Sequence, residues 1–180
     1  MTDPLPTALV LASGRGERFL ASGGSTHKLQ ALLGDKTVLQ HTLDAVRASG
    51  LPWHLEDAGH PGMGDSISAA VRATSQASGW LIVLGDLPLI RADTLRGLAL
   101  ALRSHDVVIP TYLRQRGHPV GFSARCRESL LSLTGDRGAA SVVKMFGGIE
   151  IPLDDIGVVS DIDTVADLQR VTRLIGSKSP

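Results

Sequence analysis

An unbroken apolar run from Ala8 to Ala12 stops at Ser13-Gly14-Arg15-Gly16. A short apolar run that ends in small residues predicts a buried strand entering a loop. From Val38 the period changes: Val38, Leu39, Thr42, Leu43 and Val46 share one helical face, and Ser49-Gly50 supplies a glycine stop. Trp53 to Glu56 predicts a short strand. After the glycine-rich turn from Gly59 to Gly64, a helix runs through Ile67, Ala70 and Val71, with Asp65 or Ser66 as its cap. Trp80 to Leu84 is the strongest strand signal, and it leads directly into Gly85-Asp86-Leu87-Pro88. Asp93 or Thr94 then opens a helix over Leu95, Leu98 and Leu102, Asp106 to Pro110 is a buried strand, and Tyr112 to Phe122 reads as a hairpin turning around Gly117. Helices are predicted over Arg127 to Leu133 and Ala139 to Phe146, flanking the loop Gly135-Asp136-Arg137-Gly138. A strand at Ile149 to Leu153 and an amphipathic helix from Thr164 to Leu174 complete the chain. Strands alternating with helices predict an α/β fold with a mostly parallel sheet, in one domain over residues 1–180.

Charge narrows the partners. The 18 basic and 18 acidic side chains cancel, which excludes a basic module for nucleic acid or an anionic membrane surface. Hydrophobic residues make up 43% and aromatic ones only 3%, so the core is aliphatic, as in helix-covered parallel sheets. No apolar run approaches the roughly 20 residues of a membrane span. The start, Met-Thr-Asp-Pro-Leu-Pro, lacks the basic and apolar regions of a signal peptide. Cys126 is the single cysteine, which fits a reducing compartment. The expectation is a cytoplasmic protein with no membrane and no nucleic-acid partner.

Candidate chemistry gathers where two predicted strands end. Ligands of open α/β sheets bind beyond the carboxyl ends of the strands, and both the loop after Ala12 and Asp86 fall there. Glycines in that loop let backbone amides approach an anion, and Arg15, Arg18 and Lys28 supply charge for a polyphosphate. The loop is neither a P-loop nor a dinucleotide fingerprint, because no G-x-x-x-x-G-K-[ST] occurs and Phe19 stands where the third glycine is needed. The alternative for this segment is a glycine turn with solvated arginines. A carboxylate at the end of an apolar strand is costly when buried alone. Mg²⁺, which takes one or two carboxylates with water and phosphate oxygens, would compensate it. Asp161 and Asp163 are the second carboxylate source, and the alternative for Asp86 and Asp163 is capping of the helices that follow.

Taken in order, Ala12-Ser13-Gly14-Arg15-Gly16-Glu17-Arg18 with Lys28, then Gly62-Met63-Gly64-Asp65-Ser66, Gly85-Asp86-Leu87-Pro88, Arg116-Gly117-His118-Pro119-Val120, Gly135-Asp136-Arg137-Gly138-Ala139 and Asp161-Ile162-Asp163-Thr164 resemble the nucleotidyltransferases of molybdenum cofactor maturation. Within that group, Gly85-Asp86 and Asp161-Ile162-Asp163 are most similar to the cytidylyltransferase branch. The resemblance implies a three-layer Rossmann-like nucleotidyltransferase fold. It also implies that Leu11, Ala12, Ser13 and Gly14 contact base and ribose, that Arg15, Arg18 and Lys28 hold the triphosphate, and that Gly62, Met63, Gly64 and Ser66 close over the nucleotide beside Gly85. Asp86 and Asp163 would hold Mg²⁺, with Arg15, Lys28 and Asp86 as the catalytic set. Gly117, His118, Pro119, Asp136 and Gly138 would border the acceptor. For His118 the alternative is a strut within its hairpin.

Three departures from the family pattern stand out. Ser13 replaces a second alanine or glycine, which bears on base identity. Only 33 residues separate Lys28 from Gly62, fewer than the family has, so one strand-helix unit near residues 50–60 is expected to be missing. Val165 replaces a proline, and Ala140 stands where an arginine often follows Gly-Ala.

The implied reaction transfers CMP from CTP to a terminal phosphate of molybdopterin, the organic part of the molybdenum cofactor, and releases pyrophosphate. A phosphate nucleophile is already anionic, so alignment and charge neutralisation replace general-base catalysis. A recipient molybdoenzyme is a further implied partner. The rival readings are a molybdenum cofactor guanylyltransferase, a sugar-phosphate nucleotidyltransferase, and a catalytically silent nucleotide-binding module that delivers the cofactor.

Overall fold

The structure, a computed structural model, describes residues 4–176. Its centre is a seven-stranded sheet formed by β1 (Thr7–Leu11), β4 (Trp53–Glu56), β5 (Gly79–Leu84), β6 (Val107–Tyr112), β7 (Gln115–Arg116), β8 (Val120–Ser123) and β9 (Ile149–Pro152). The strand order is β4-β1-β5-β8-β6-β7, with β9 on β6. β1 pairs in parallel with β4 and β5, and β6 with β9, whereas β8 runs antiparallel between β5 and β6. The sheet is therefore mostly parallel, as the alternating pattern requires. A separate two-stranded ribbon, β2 (Leu32–Leu33) with β3 (Lys36–Thr37), lies off it.

Alternation along the strands divides the core into two. Ala8, Val10, Leu81, Val83 and Val108 face one layer with Leu43 and Val46 of α2 (Val38–Ser49) and Leu95 and Leu98 of α4 (Ala92–Ala101). Leu9, Trp80, Ile82, Val107 and Ile109 face the other, where Ile67 and Val71 of α3 (Met63–Ala73), Leu130 of α5 (Arg127–Leu131) and Val142 of α6 (Ala140–Phe146) cover them. Side chains of period two on buried strands make this three-layer arrangement. A third apolar cluster lies under the strand ends, where Phe19 of α1 (Glu17–Ala21), Leu29, Leu33, Val38, Ile162 and Val171 of α7 (Val165–Gly176) meet.

Several local expectations need correction. α3 starts at Met63 behind Gly62, not at a cap from Asp65 or Ser66, and Asp65 instead accepts a hydrogen bond from the Gly135 amide at 3.0 Å. α4 opens behind Arg91, with Asp93 and Thr94 already inside it. The tight hairpin turn is at Leu113 and Arg114, whose φ values are 47° and 69°, and Gly117 lies in the later link to β8. Such a turn is usually written with Asn-Gly, so this one carried no sequence signal. α1 and the β2–β3 ribbon are too short to show a period. At the sheet edge, β4 passes directly through residues 57–62 into α3, with no further strand outside β4 among the described residues.

Candidate active site

The nucleotide loop begins where β1 ends. Its backbone is tied on both sides, because the Ala12 amide donates to Glu56 O at 2.8 Å and the Gly85 amide to Leu11 O at 2.9 Å. A β-carbon on Gly85 would stand 2.9 Å from Leu11 O, so the close approach of β5 to β1 at this point requires glycine. Gly16 is left-handed, with φ at 67°, a conformation that glycine adopts without steric cost. His27 spans the loop: its Nε2 donates to Gly14 O at 2.6 Å while its Nδ1 accepts from the Leu29 amide at 3.3 Å. Both ring nitrogens are thereby assigned, and the residue beside Lys28 becomes a strut. Nothing in the sequence marks His27, since its partners are backbone atoms.

Lys28 stands at the centre of a charged cluster. Its Nζ lies 2.5 Å from Asp86 Oδ2 and 3.1 Å from Asp163 Oδ1, and Arg18 reaches Asp163 Oδ2 at 2.7 Å. The Ile162 amide donates to Asp86 O at 3.2 Å, which brings the 161–163 segment to the end of β5. Neither carboxylate is a helix cap. α4 opens behind Arg91, well past Asp86. At α7 the capping is done by Thr164, whose hydroxyl oxygen accepts from the Asp167 amide at 3.2 Å, and by Asp167, whose Oδ2 reaches back to accept from the amides of Asp163 and Thr164 and from the Thr164 hydroxyl. Asp163 is left to face the cluster.

The electrostatics of the cluster are unbalanced. Asp86, Asp161 and Asp163 are set against Lys28 and Arg18, and Asp86 Oδ1 is buried without a hydrogen-bond partner. Burial pushes the Asp86 carboxyl up despite the adjacent ammonium of Lys28, and Asp161 and Asp163 push the same way. Lys28 itself is held above its ordinary value, because Asp86 and Asp163 together outweigh its burial. An orphaned carboxylate oxygen inside a cluster with surplus negative charge fits a hard divalent cation.

A cleft of about 550 Å³ joins these parts. Leu11, Ser13, Gly14, Arg15, Arg18, Lys28, Gly62, Met63, Ser66, Gly85 and Asp86 line it, with Asp136, Asp161 and Asp163. Arg15 sits at the rim, its side chain largely exposed and 3.7 Å from Glu17. Ala12 and Gly64 are not among the lining residues. Gly64 is instead packed where a β-carbon would lie 2.6 Å from Arg137 O, and one on Gly62 would lie 2.2 Å from Gly135 O, so these glycines seat α3 against the 134–138 loop. Of the predicted acceptor residues only Asp136 lines the cleft. Gly117 packs onto Val158, whose carbonyl accepts the His118 amide at 2.8 Å. His118 Nδ1 is buried without a partner, and burial pushes the imidazole down, toward its neutral form, against Asp161 and Asp86. A second hollow of about 500 Å³ shares Asp161 and Asp163 with the cleft and adds Tyr112, Gln115 and Arg170. Sequence reasoning pointed to none of those last three.

Residues 45–150, from within α2 to β9, match the MobA-like NTP transferase domain. The chain belongs to that family. The purine catabolism protein PucB of Bacillus subtilis (strain 168) is 30% identical over 208 aligned positions, covering 96% of this chain and 98% of PucB. The alignment is longer than this chain, so PucB carries residues that are absent here. A homologue of Mycobacterium tuberculosis Rv0371c from Mycobacterium sp. strain JC1 has 27% identity and a TM-score of 0.79, covering 96% of this chain and 98% of that one. Rv0371c itself, crystallised in complex with manganese, has 24% identity and a TM-score of 0.74, covering 94% and 98%. The matched stretch takes in β4, β5 and Asp86, while β1 with its glycine-rich loop, Lys28 and Asp163 lie outside it. No helix among the described residues is long and apolar enough to cross a membrane.

Proposed function

We propose that the protein transfers CMP from CTP to a terminal phosphate of molybdopterin and releases pyrophosphate. The observation that carries nucleotidyl transfer is the Lys28 ammonium, held between Asp86 and Asp163 at the end of a cleft whose other wall is a glycine-rich loop. Cytosine rests on the motif resemblance at Gly85-Asp86 and Asp161-Ile162-Asp163, and molybdopterin on the resemblance of the whole motif series, the His118 hairpin included.

In this reading Arg15, Arg18 and Lys28 bind the triphosphate, and the amides of the Gly14 to Gly16 loop, braced by His27, approach it. Arg18 and Lys28 exchange their carboxylate partners for phosphate oxygens as the nucleotide enters. Asp86 and Asp163 would then hold Mg²⁺, which supplies charge neutralisation at the triphosphate. Asp136 and the hollow beside Asp161 and Asp163 border the acceptor, and His118, half-buried with its amide on Val158, lies behind that lining. No side chain takes a proton from the nucleophile, since a phosphate needs none removed.

Pyrophosphate release with molybdopterin and either CTP or GTP tests the proposal. Turnover with CTP supports it. Turnover with GTP instead places the protein in the guanylyltransferase branch, turnover with a sugar phosphate alone refutes the acceptor, and nucleotide binding without turnover on any acceptor leaves a delivery module.

A further inference from the structure

The cleft has a charged end and a neutral polar end. Asp86, Asp163, Lys28 and Arg18 occupy the first, at the foot of β5. The second lies toward β4, the strand on the opposite side of β1, where Ser13 and His60 line the wall. A nucleoside triphosphate with its phosphates at the charged end therefore lays its base toward β4.

The β4 end carries a group that the proposed reaction does not use. Glu56, paired in register with Leu11, is 7% exposed. Its backbone oxygen accepts from the Ala12 amide and from Ser13 Oγ, the latter at 3.1 Å, so it is fastened to the nucleotide loop. Its carboxylate accepts from His60 Nε2 at 3.0 Å and from His54 Nε2 at 3.3 Å. Burial alone would push the Glu56 carboxyl up, but the hydrogen bonds from His60, His54 and the Ala58 amide outweigh it and hold the group ionised, below the usual carboxylate range. An ionised carboxylate can only accept, so His60 Nε2 donates to it, and in that tautomer Nδ1 is left as an acceptor. Among the described residues, no hydrogen bond to Nδ1 occurs.

We propose that His60 is a base-reading residue, oriented by Glu56, whose Nδ1 accepts a hydrogen bond from the exocyclic amino group of the nucleotide base. The inference rests on the nucleotide-binding reading of the cleft and adds a selection rule to it. A base with an amino group, such as cytosine, satisfies Nδ1, while uracil presents a carbonyl oxygen at the same position and leaves two acceptors facing each other. A site built to pair one polar atom discriminates against the analogue that cannot pair it. His54 also binds Glu56 but does not line the cleft, so it serves as the internal control.

The experiment is calorimetric titration of the protein with CTP, UTP and inorganic tripolyphosphate, each with Mg²⁺, for wild type, His60→Ala, His54→Ala and Glu56→Gln. The expected result is tighter binding of CTP than UTP by about five- to tenfold, a size set by one hydrogen bond. That preference should be lost in His60→Ala, reduced in Glu56→Gln and kept in His54→Ala, with tripolyphosphate binding equal in all four. Imidazole ¹⁵N NMR of the wild type should report the Nε2–H tautomer for His60. A CTP:UTP ratio unchanged in His60→Ala, or an Nδ1–H tautomer, overturns the base-reading role and leaves the nucleotide site standing. Failure of the wild type to bind CTP or tripolyphosphate overturns the nucleotide reading itself.

Discussion

Replacing Lys28 with methionine keeps the aliphatic stem and removes the one ammonium that the described residues bring to the acidic cluster. The Lys28 and Asp86 side chains are 16% and 7% exposed, so solvent screens their contact little. Asp86 Oδ1 already has no partner, and loss of Lys28 would strip Oδ2 as well. Removing one member of a buried ion pair costs about 3–5 kcal/mol. The lower end applies, because Asp86 can escape by taking a proton and Arg18 still faces Asp163. At about 2–4 °C per kcal/mol for a chain of this size, Lys28→Met should melt on the order of 6–12 °C lower near pH 7.

The pH dependence has a definite sign. A carboxyl whose folded-state pKa is raised carries no penalty when protonated in both states, and the penalty grows as pH rises from the ordinary carboxylate value, about 3.9, through the raised folded value. The deficit of Lys28→Met is thus full at neutral pH and shrinks as pH falls toward about 4. Mn²⁺ should restore the variant more than it stabilises the wild type, in which Lys28 competes for the same oxygens; at a hundredfold excess over its dissociation constant the gain is about 2.7 kcal/mol. Calorimetric melting of both proteins at pH 4.5 and 7.5, with and without Mn²⁺, reads all of this. Equal melting temperatures at pH 7.5, or a deficit that does not change with pH, would refute the claim that Lys28 offsets buried charge.

Three further outcomes follow from the site. Asp86→Asn removes charge from a crowded acidic cluster, so it should leave the circular dichroism spectrum intact while lowering metal-dependent pyrophosphate release by at least about a hundredfold; full activity would remove the metal assignment. Arg18→Ala should weaken CTP binding by up to about tenfold and leave cytidine binding unchanged, since its side chain is exposed and directed at the charged end; equal losses for both ligands would place Arg18 elsewhere. CTP should be preferred to GTP by at least about tenfold in kcat/KM, equivalent to about 1.4 kcal/mol, with Ser13→Gly narrowing the gap, because a side chain at the neutral end of the cleft limits room for a purine; a GTP preference would reverse the assignment.

Periodicity by itself determined the layers of this protein. Ala8 to Ala12, Trp80 to Leu84 and Asp106 to Pro110 declared their strands because a sheet buried on both faces needs continuous apolar residues, and α2 declared its end at Gly50, which is left-handed with φ at 72°. The glycine loop and Asp86 could be placed at one end of the sheet from the sequence, since the carboxyl ends of parallel strands gather on one side. Tertiary structure alone decided the rest. β8 inserts antiparallel between β5 and β6, and strand order is a long-range choice that local patterns do not encode. Asp163 reaches Lys28 across 135 positions of sequence, and whether it caps α7 or faces the cluster depends on Thr164 and Asp167 taking the capping role. Gly117 and His118 looked like cleft residues, yet they lie against Val158, because the β-carbon-free backbone of Gly117 suits a close protein contact as well as a ligand. His27 and His60 gave no signal at all, since an imidazole acquires its role only from the partners that folding brings to its two nitrogens.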